Sequence, residues 1–411
     1  MSTRLNQVCK LIVDCPHSTE PDEGEGYPII RTPNIGRGYL DLEGVQRVSR
    51  AAFDRRNVRA APQPGDLIMA REAPAGNVGI IREGMEVCLG QRTVLIRPDA
   101  DKVNPLFLNY YLNAPEQRHG LLRNSNGATV SHVNMPIIRN LPVDLPDLET
   151  QRCIAGVLSA YDELIENNRK QIKLLEEAAQ RLYKDWFVDL NFPGHETTPI
   201  HNGLPEGWRK ARLVDVANVQ YGFAFKANQF NSDGDGLPII RIRNVVDGFS
   251  RDYTTEKADE KYLVYDGDTV VGMDGDFYIN SWSGGMAYLV QRSCRIKAHD
   301  DRLDAYLRWA IATPIRAFQN GIVGATVAHL GKRHIDSIEV LIPSYGAVGF
   351  FSDMRNQIVN LRKQIAAARE ARNRLLPKLM SGGIAGCEQW DVRGSFRFIL
   401  TRTSSNSSIA P

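Results

Sequence analysis

The amino-acid sequence predicts an α+β chain in which two similar mixed α/β domains are each followed by a long helix, the two helices pairing as an antiparallel coiled coil. Three observations predict it. Gly127-Ala128-Thr129-Val130-Ser131-His132 returns late in the chain as Gly324-Ala325-Thr326-Val327-Ala328-His329, and three earlier segments return in the same order. Each copy then runs into a stretch whose apolar residues recur in steps of four and three. A period far longer than the roughly 20–50 residues of a solenoid means that a whole domain is duplicated.

Taken in order, Arg4-Leu5 with Val8 matches Arg212-Leu213 with Val216, and the strand-like Pro28-Ile29-Ile30-Arg31 matches Pro238-Ile239-Ile240-Arg241. Gly65-Asp66 matches Gly267-Asp268. The two Gly-Ala-Thr-Val segments stay in step as far as the expected strands Leu141 to Leu145 and Ile338 to Ile342, closed by Pro146 and Pro343.

After Pro146 the positions Ile154, Leu158, Tyr161, Ile165, Asn168, Ile172, Leu175, Ala179, Leu182 and Trp186 form the a/d seam of a coiled coil. Asn168 is its lone polar member, a device that fixes register and partner or else a plain polar intrusion. After Pro343 the alternation returns in Phe351, Met354, Ile358, Leu361, Ile365, Ala368, Arg372, Leu375 and Leu379. Pro377 lacks a backbone donor and is expected to end or kink this helix near Leu376. Arg169-Lys170-Gln171-Ile172 and Arg362-Lys363-Gln364-Ile365 are offset by about four residues, one helical turn, which keeps the seam on one face. At about 1.5 Å per residue the first seam spans roughly 50 Å, more than the roughly 34 Å between successive faces of B-DNA, so paired helices of this length would carry two readers for two different half-sites.

Composition sets limits. A chain of 411 residues with 43% hydrophobic content supports two or three packed domains. Cys9, Cys15, Cys88, Cys153, Cys294 and Cys387 are scattered, without Cys-x-x-Cys or His/Cys ligand spacing, and read as reduced thiols of a cytosol. No secretory leader and no uninterrupted apolar run of membrane-spanning length stands out, so the expectation is a cytoplasmic protein with no membrane partner.

The formal net charge is only +2, so any nucleic-acid surface must be local. One local surplus holds Arg31, Arg37, Arg47, Arg50, Arg55, Arg56 and Arg59 against Asp41, Glu43 and Asp54. Its rival reading is a solvated basic face. The second copy places Arg241, Arg243, Asn244 and Arg251 correspondingly, which favours a phosphate-facing or base-facing surface. Arginine suits guanine and asparagine suits adenine, each bidentate pair being worth about 1–3 kcal/mol of discrimination. The candidate DNA-reading residues are Arg31, Asn34 and Arg37 in the first domain and Arg241, Arg243 and Asn244 in the second. Arg31 and Arg241 would alternatively orient onto a carboxylate of their own domain. Thr129 and Thr326 are hydroxyl donors in loops where glycine permits close approach to phosphate, or else caps of the next turn.

Four tracts carry a family resemblance: Gly127 to Gln151, Trp186-Phe187-Val188-Asp189, Leu204-Pro205-Glu206-Gly207-Trp208, and Leu375-Leu376-Pro377-Lys378-Leu379-Met380-Ser381-Gly382. Over residues 1 to 384 the chain resembles the specificity subunit of type I restriction-modification systems. It departs from that family where Thr150-Gln151 and Ala347-Val348 stand in place of a Glu-Gln pair at the helix starts. The resemblance implies a target-recognition domain at 1–146, a helix at 147–190, a linker at 191–203, a second target-recognition domain at 204–343 and a second helix at 344–384. The tail at 385–411, which lacks a seam and ends in Thr-Ser-Ser-Asn-Ser-Ser, is expected from its composition to be partly disordered. The resemblance further implies a non-catalytic subunit that binds an asymmetric bipartite site on double-stranded DNA. The partners implied are two methyltransferase subunits acting on adenine and restriction/translocase subunits, with S-adenosylmethionine, ATP and Mg on those partners and no cofactor or metal on this chain. The residues expected to meet partners are Tyr161, Asn168, Trp186, Leu361 and Leu375.

Catalytic motifs are missing. Asn113-Ala114-Pro115-Glu116 lacks the second proline and aromatic of an adenine methyltransferase loop. Gly331-Lys332-Arg333 lacks the glycine and hydroxyl of a phosphate loop. Pro98-Asp99-Ala100-Asp101-Lys102 has the acids and lysine of a nuclease fragment, a pattern common on solvated loops. His132 and His329 show no partnered nucleophile and read as packing or hydrogen-bonding residues. Two alternatives stay open: a coiled-coil scaffold that binds only proteins, and the recognition part of a fused methyltransferase-nuclease.

Overall fold

The computed structural model of the chain describes residues 3–123, 132–321 and 328–381. It divides into two compact units, Met1–Glu163 with Arg369–Pro411, and Leu164–Ala368, so each unit holds part of both long helices.

In the first unit an antiparallel sheet runs in the order Cys9–Asp14, Thr93–Pro98, Leu67–Ala70, Val78–Ile80. Its central strand Leu67–Ala70 is buried at every position, as a continuous apolar run requires. A second sheet sets Tyr27–Ile30 between Arg47–Val48 and Cys88–Leu89, the latter parallel, with Ile29 opposite Cys88 and Ile30 opposite Leu89. Helix Pro105–Asn113 starts with Asn104 accepting from the Phe107 N–H, and it buries Phe107 and Leu108 against the first sheet's core.

The second unit repeats this plan. Its sheet order is Ala217–Tyr221, Ser293–Ala298, Thr269–Gly272, Ile279–Ser281. Leu237–Ile240 again has a parallel neighbour, with Ile239 opposite Tyr288 and Ile240 opposite Leu289. Smaller matches follow from the repeated words. Leu5 N–H donates to the Leu141 carbonyl and Leu213 N–H to that of Ile338. Gly65 and Gly267 both sit at φ 89°, and the buried Asp66 and Asp268 behind them accept backbone N–H bonds from Gln63 and Tyr265.

The long helices run Leu148–Tyr183, continued by a π turn at Lys184–Val188, and Gly349–Met380. In the first unit Ile154, Ala155 and Leu158 join the core together with Leu376, Leu379 and Met380. There Asp162 takes both Arg372 and the Tyr110 hydroxyl, which satisfies the one charged residue of the second seam. In the second unit Asn168 faces Gln364 and Trp186 faces Phe350, so as one helix rises the other descends. The pairing is antiparallel in both units.

Of the end or kink expected near Leu376, the end does not occur: the second helix passes through Pro377 to Met380. The proline forfeits one helix bond, but Leu376, Leu379 and Met380 continue the apolar seam into the core, and their burial outweighs it. Among the described residues Cys9, Cys15, Cys88 and Cys294 are free thiols. Among the described residues no helix is long and apolar enough to cross a membrane. The tail at 385–411 lies outside the described residues.

Candidate nucleic-acid interface

The repeated Pro-Ile-Ile-Arg strand delivers its arginine to the first residue of a turn in both domains. Arg31 precedes a 3-10 turn Thr32–Asn34, and Arg241 precedes helix Ile242–Asp247. In both copies the asparagine three residues on folds back: Arg31 N–H donates to Asn34 Oδ1 at 3.1 Å, and Arg241 N–H to Asn244 Oδ1 at 2.9 Å. The turn bond fixes the orientation of both amides and uses one of the two lone pairs of each oxygen.

The arginine run is likewise mostly spent. Arg56 is 2% exposed and donates to the carbonyls of Leu89, Ser18 and Pro16. Arg50 pairs with Asp54, Arg55 with Glu20, and Arg47 donates to the Gly26 carbonyl. Arg31 and Arg37 are exposed, and no ion pair engages either among the described residues. Arg37 lines a cleft with Gly38, Tyr110, Asn113, Arg372 and Pro377. In the second domain Arg243 grips Asp252 through a two-pronged ion pair at 2.7 Å, holding that carboxyl below its ordinary range against burial, which pushes it up. The pair engages Nε and Nη2, and Arg243 stays exposed. Arg241 is half-buried, with its guanidinium 5.7 Å from the Phe230 ring centre. Thr129 and Thr326 lie outside the described residues.

Both domains build one polar cluster that motif reading did not find, because its members are far apart in sequence. In the first, Glu72 accepts from His132 Nδ1 at 3.1 Å and pairs with Arg92 at 2.6 Å. In the second, Asp274 accepts from His329 Nδ1 at 2.6 Å and from Arg292 at 2.5 Å. The histidines are the last residues of the repeated Gly-Ala-Thr-Val-x-His segments. In the first domain Arg71 Nη2 donates to His132 Nε2 at 2.9 Å, which leaves Nδ1 as the protonated nitrogen of a neutral ring. Gln-Arg at 91–92 and 291–292 was the available signal, visible only beside the other repeats.

The residues expected to meet partners lie along the seam. Tyr161, Leu361 and Leu375 are half-buried. Asn168, 3% exposed, donates to Gln364 at 3.0 Å, and Trp186 packs edge-on against Phe350. The buried Asn168 amide finds its hydrogen bond on the opposite helix of its own chain, whereas Trp186 is half-buried.

Among the described residues no cluster of three or more His, Cys, Asp or Glu side chains forms a metal site. Asp99, in the nuclease-like string, pairs with Lys10 and Lys102.

The chain matches the type I restriction modification DNA specificity domain over residues 1–177 and again over 205–361. The type I restriction enzyme MjaIX specificity subunit of Methanocaldococcus jannaschii is 25% identical over 357 residues, covering 82% of each chain. The EcoBI specificity subunit of Escherichia coli is 36% identical over 146 residues, 34% of this chain and 31% of its own. In fold, the S subunit of a type I restriction-modification system from M. genitalium superposes with a TM-score of 0.57 over 92% of this chain and 95% of that one, at 14% identity.

Proposed function

Because this chain belongs to the type I restriction modification DNA specificity family, we propose that it reads one asymmetric, two-part site on double-stranded DNA and brings two methyltransferase subunits and the restriction/translocase subunits to it. As a specificity subunit it contributes recognition and leaves catalysis to other chains. S-adenosylmethionine, ATP and Mg belong, in this proposal, to those partners.

The observation that carries the reading is the duplication with divergent interiors. Two copies of one domain, repeated in strand order and in the Arg-x-x-Asn turn, present different side chains on one scaffold. Different readers on equivalent scaffolds select different half-sites. Arg31 and Arg37 in the first domain and Arg241 in the second are the proposed DNA contacts among the described residues, with Thr129 and Thr326 proposed for phosphate. Asn34, Asn244 and Arg243 hold the surface that presents them.

The test is to express the chain with its cognate methyltransferase subunits and sequence the methylated sites. Two unlike blocks of fixed sequence separated by an unspecified gap are expected. A symmetric site, or methylation without sequence preference, would sink the reading. Binding that is indifferent to salt would favour the protein-only scaffold, since phosphate contacts make affinity fall steeply with salt.

A further inference from the structure

Among the described residues four non-glycine positions have a left-handed backbone: Leu190, Asn202, Arg92 at φ 63° and Arg292 at φ 65°. The two arginines are equivalent positions of the repeat. Each ends a turn closed by the next residue's hydroxyl, with Thr93 Oγ1 donating to the Gly90 carbonyl at 2.8 Å and Ser293 Oγ to that of Val290 at 2.5 Å. Glycine would satisfy this backbone without strain, so an arginine kept there in both copies is held for its side chain.

Those side chains are 62% and 66% exposed, and each places Nη1 on the carboxylate that also receives the histidine, Glu72 or Asp274. No hydrogen bond or ion pair engages the remaining guanidinium nitrogens among the described residues. A guanidinium has five donors in a fixed fork, so one edge is anchored while the other faces outward. The surroundings differ between copies: Glu72 against Asp274, and Arg71 against Met273. The arrangement nevertheless recurs.

We propose that Arg92 and Arg292 are twin phosphate contacts to the DNA backbone, one in each domain, with Glu72–His132 and Asp274–His329 as positioning residues that fix each guanidinium. The inference rests on the DNA-reading function proposed above. It assigns these arginines to sequence-independent grip, distinct from the reading by Arg31 and Arg241. An anchored cation binds phosphate without first losing side-chain freedom, which makes the contact more than a solvated surface charge.

The test uses the full-length Arg92→Gly/Arg292→Gly variant and a fluorescent duplex of random sequence, roughly 40 base pairs long, titrated across salt. Affinity should fall about tenfold near 0.1 M salt, and the slope of log affinity against log salt should shrink by about two units, one per phosphate contact. The melting temperature should hold or rise, because glycine suits the backbone. The Arg92→Lys/Arg292→Lys variant should keep the wild-type slope. Unchanged affinity and slope in the glycine variant would overturn the proposal while leaving DNA binding by the parent intact. So would equal losses in both variants with lowered melting, which would mark a fold tie. A parent chain without salt-dependent DNA binding would overturn the functional reading as well.

Discussion

Arg31 and Arg56 stand in one basic run and do opposite jobs. Arg56 is buried against three carbonyls and shapes the domain, whereas Arg31 is exposed and in no ion pair among the described residues. Arg31→Ala and Arg241→Ala should therefore each relax recognition in one half-site while shifting stability by no more than about 0.5 kcal/mol, as surface changes do. Asn34→Ala and Asn244→Ala should show the reverse, each costing about 1 kcal/mol by removing a cap, with sequence preference unchanged. Denaturant melts run beside sequencing of methylated sites would check both pairs, and an altered preference in Asn34→Ala would restore that residue as a reader. The thiols offer a second check. Burial pushes Cys9 and Cys294 up to about 12 and Cys88 up to about 11, so at pH 8 each is thiolate at a level of about one part in a thousand or less. Iodoacetamide should leave all three unlabelled in native protein and label them after denaturation. Rapid native labelling of Cys294 would contradict its burial.

The helices are fastened by a few polar ties within mostly apolar seams. In the second unit Glu176 accepts from Arg308 at 3.3 Å and Arg362 at 3.1 Å, and Arg362 also donates to Asn280 Oδ1 and the Ser281 carbonyl. Burial pulls Arg362 down to about 10, against the pull of Glu176 in the other direction. Glu176→Ala leaves two largely buried guanidiniums short of a counter-charge. The cost should be about 2 kcal/mol, below the roughly 3–5 kcal/mol of a fully buried pair because Glu176 is a third exposed. A loss under about 0.5 kcal/mol in urea melts would show the tie to be solvated and weak. Asn168→Leu should act oppositely, raising stability by about 1 kcal/mol while removing the polar contact that specifies register. A lower melting temperature in that variant would mean that the seam lacks room for an apolar side chain there.

At the scale of the whole molecule, each domain carries its own sheets, its own Arg-x-x-Asn turn and its own His–carboxylate–Arg cluster. Replacing residues 1–146 with the corresponding domain of another family member should therefore change one half of the recognised site and leave the other as it was. Sequencing the sites methylated by the hybrid complex is the measurement. Changes in both halves would show that the domains do not read independently.

Some of this was written in the chain because its physical origin is local or periodic. The seam from Ile154 to Trp186 follows from steps of four and three alone, and the Pro-Ile-Ile-Arg strands follow from apolar pairs recurring in order. Tertiary structure decided what each polar group has left to offer, since that depends on neighbours distant in sequence. It alone buried Arg56, tied the exposed Arg243 to Asp252 and Asn34 to its turn, left Arg31 in no ion pair, and carried the second helix through Pro377 because core burial outweighed one lost bond. Glu72, Arg92 and His132 come from three separate segments, and only the packing of their strands puts them on one carboxylate, because hydrogen bonds answer to distance in space and not to spacing along the chain.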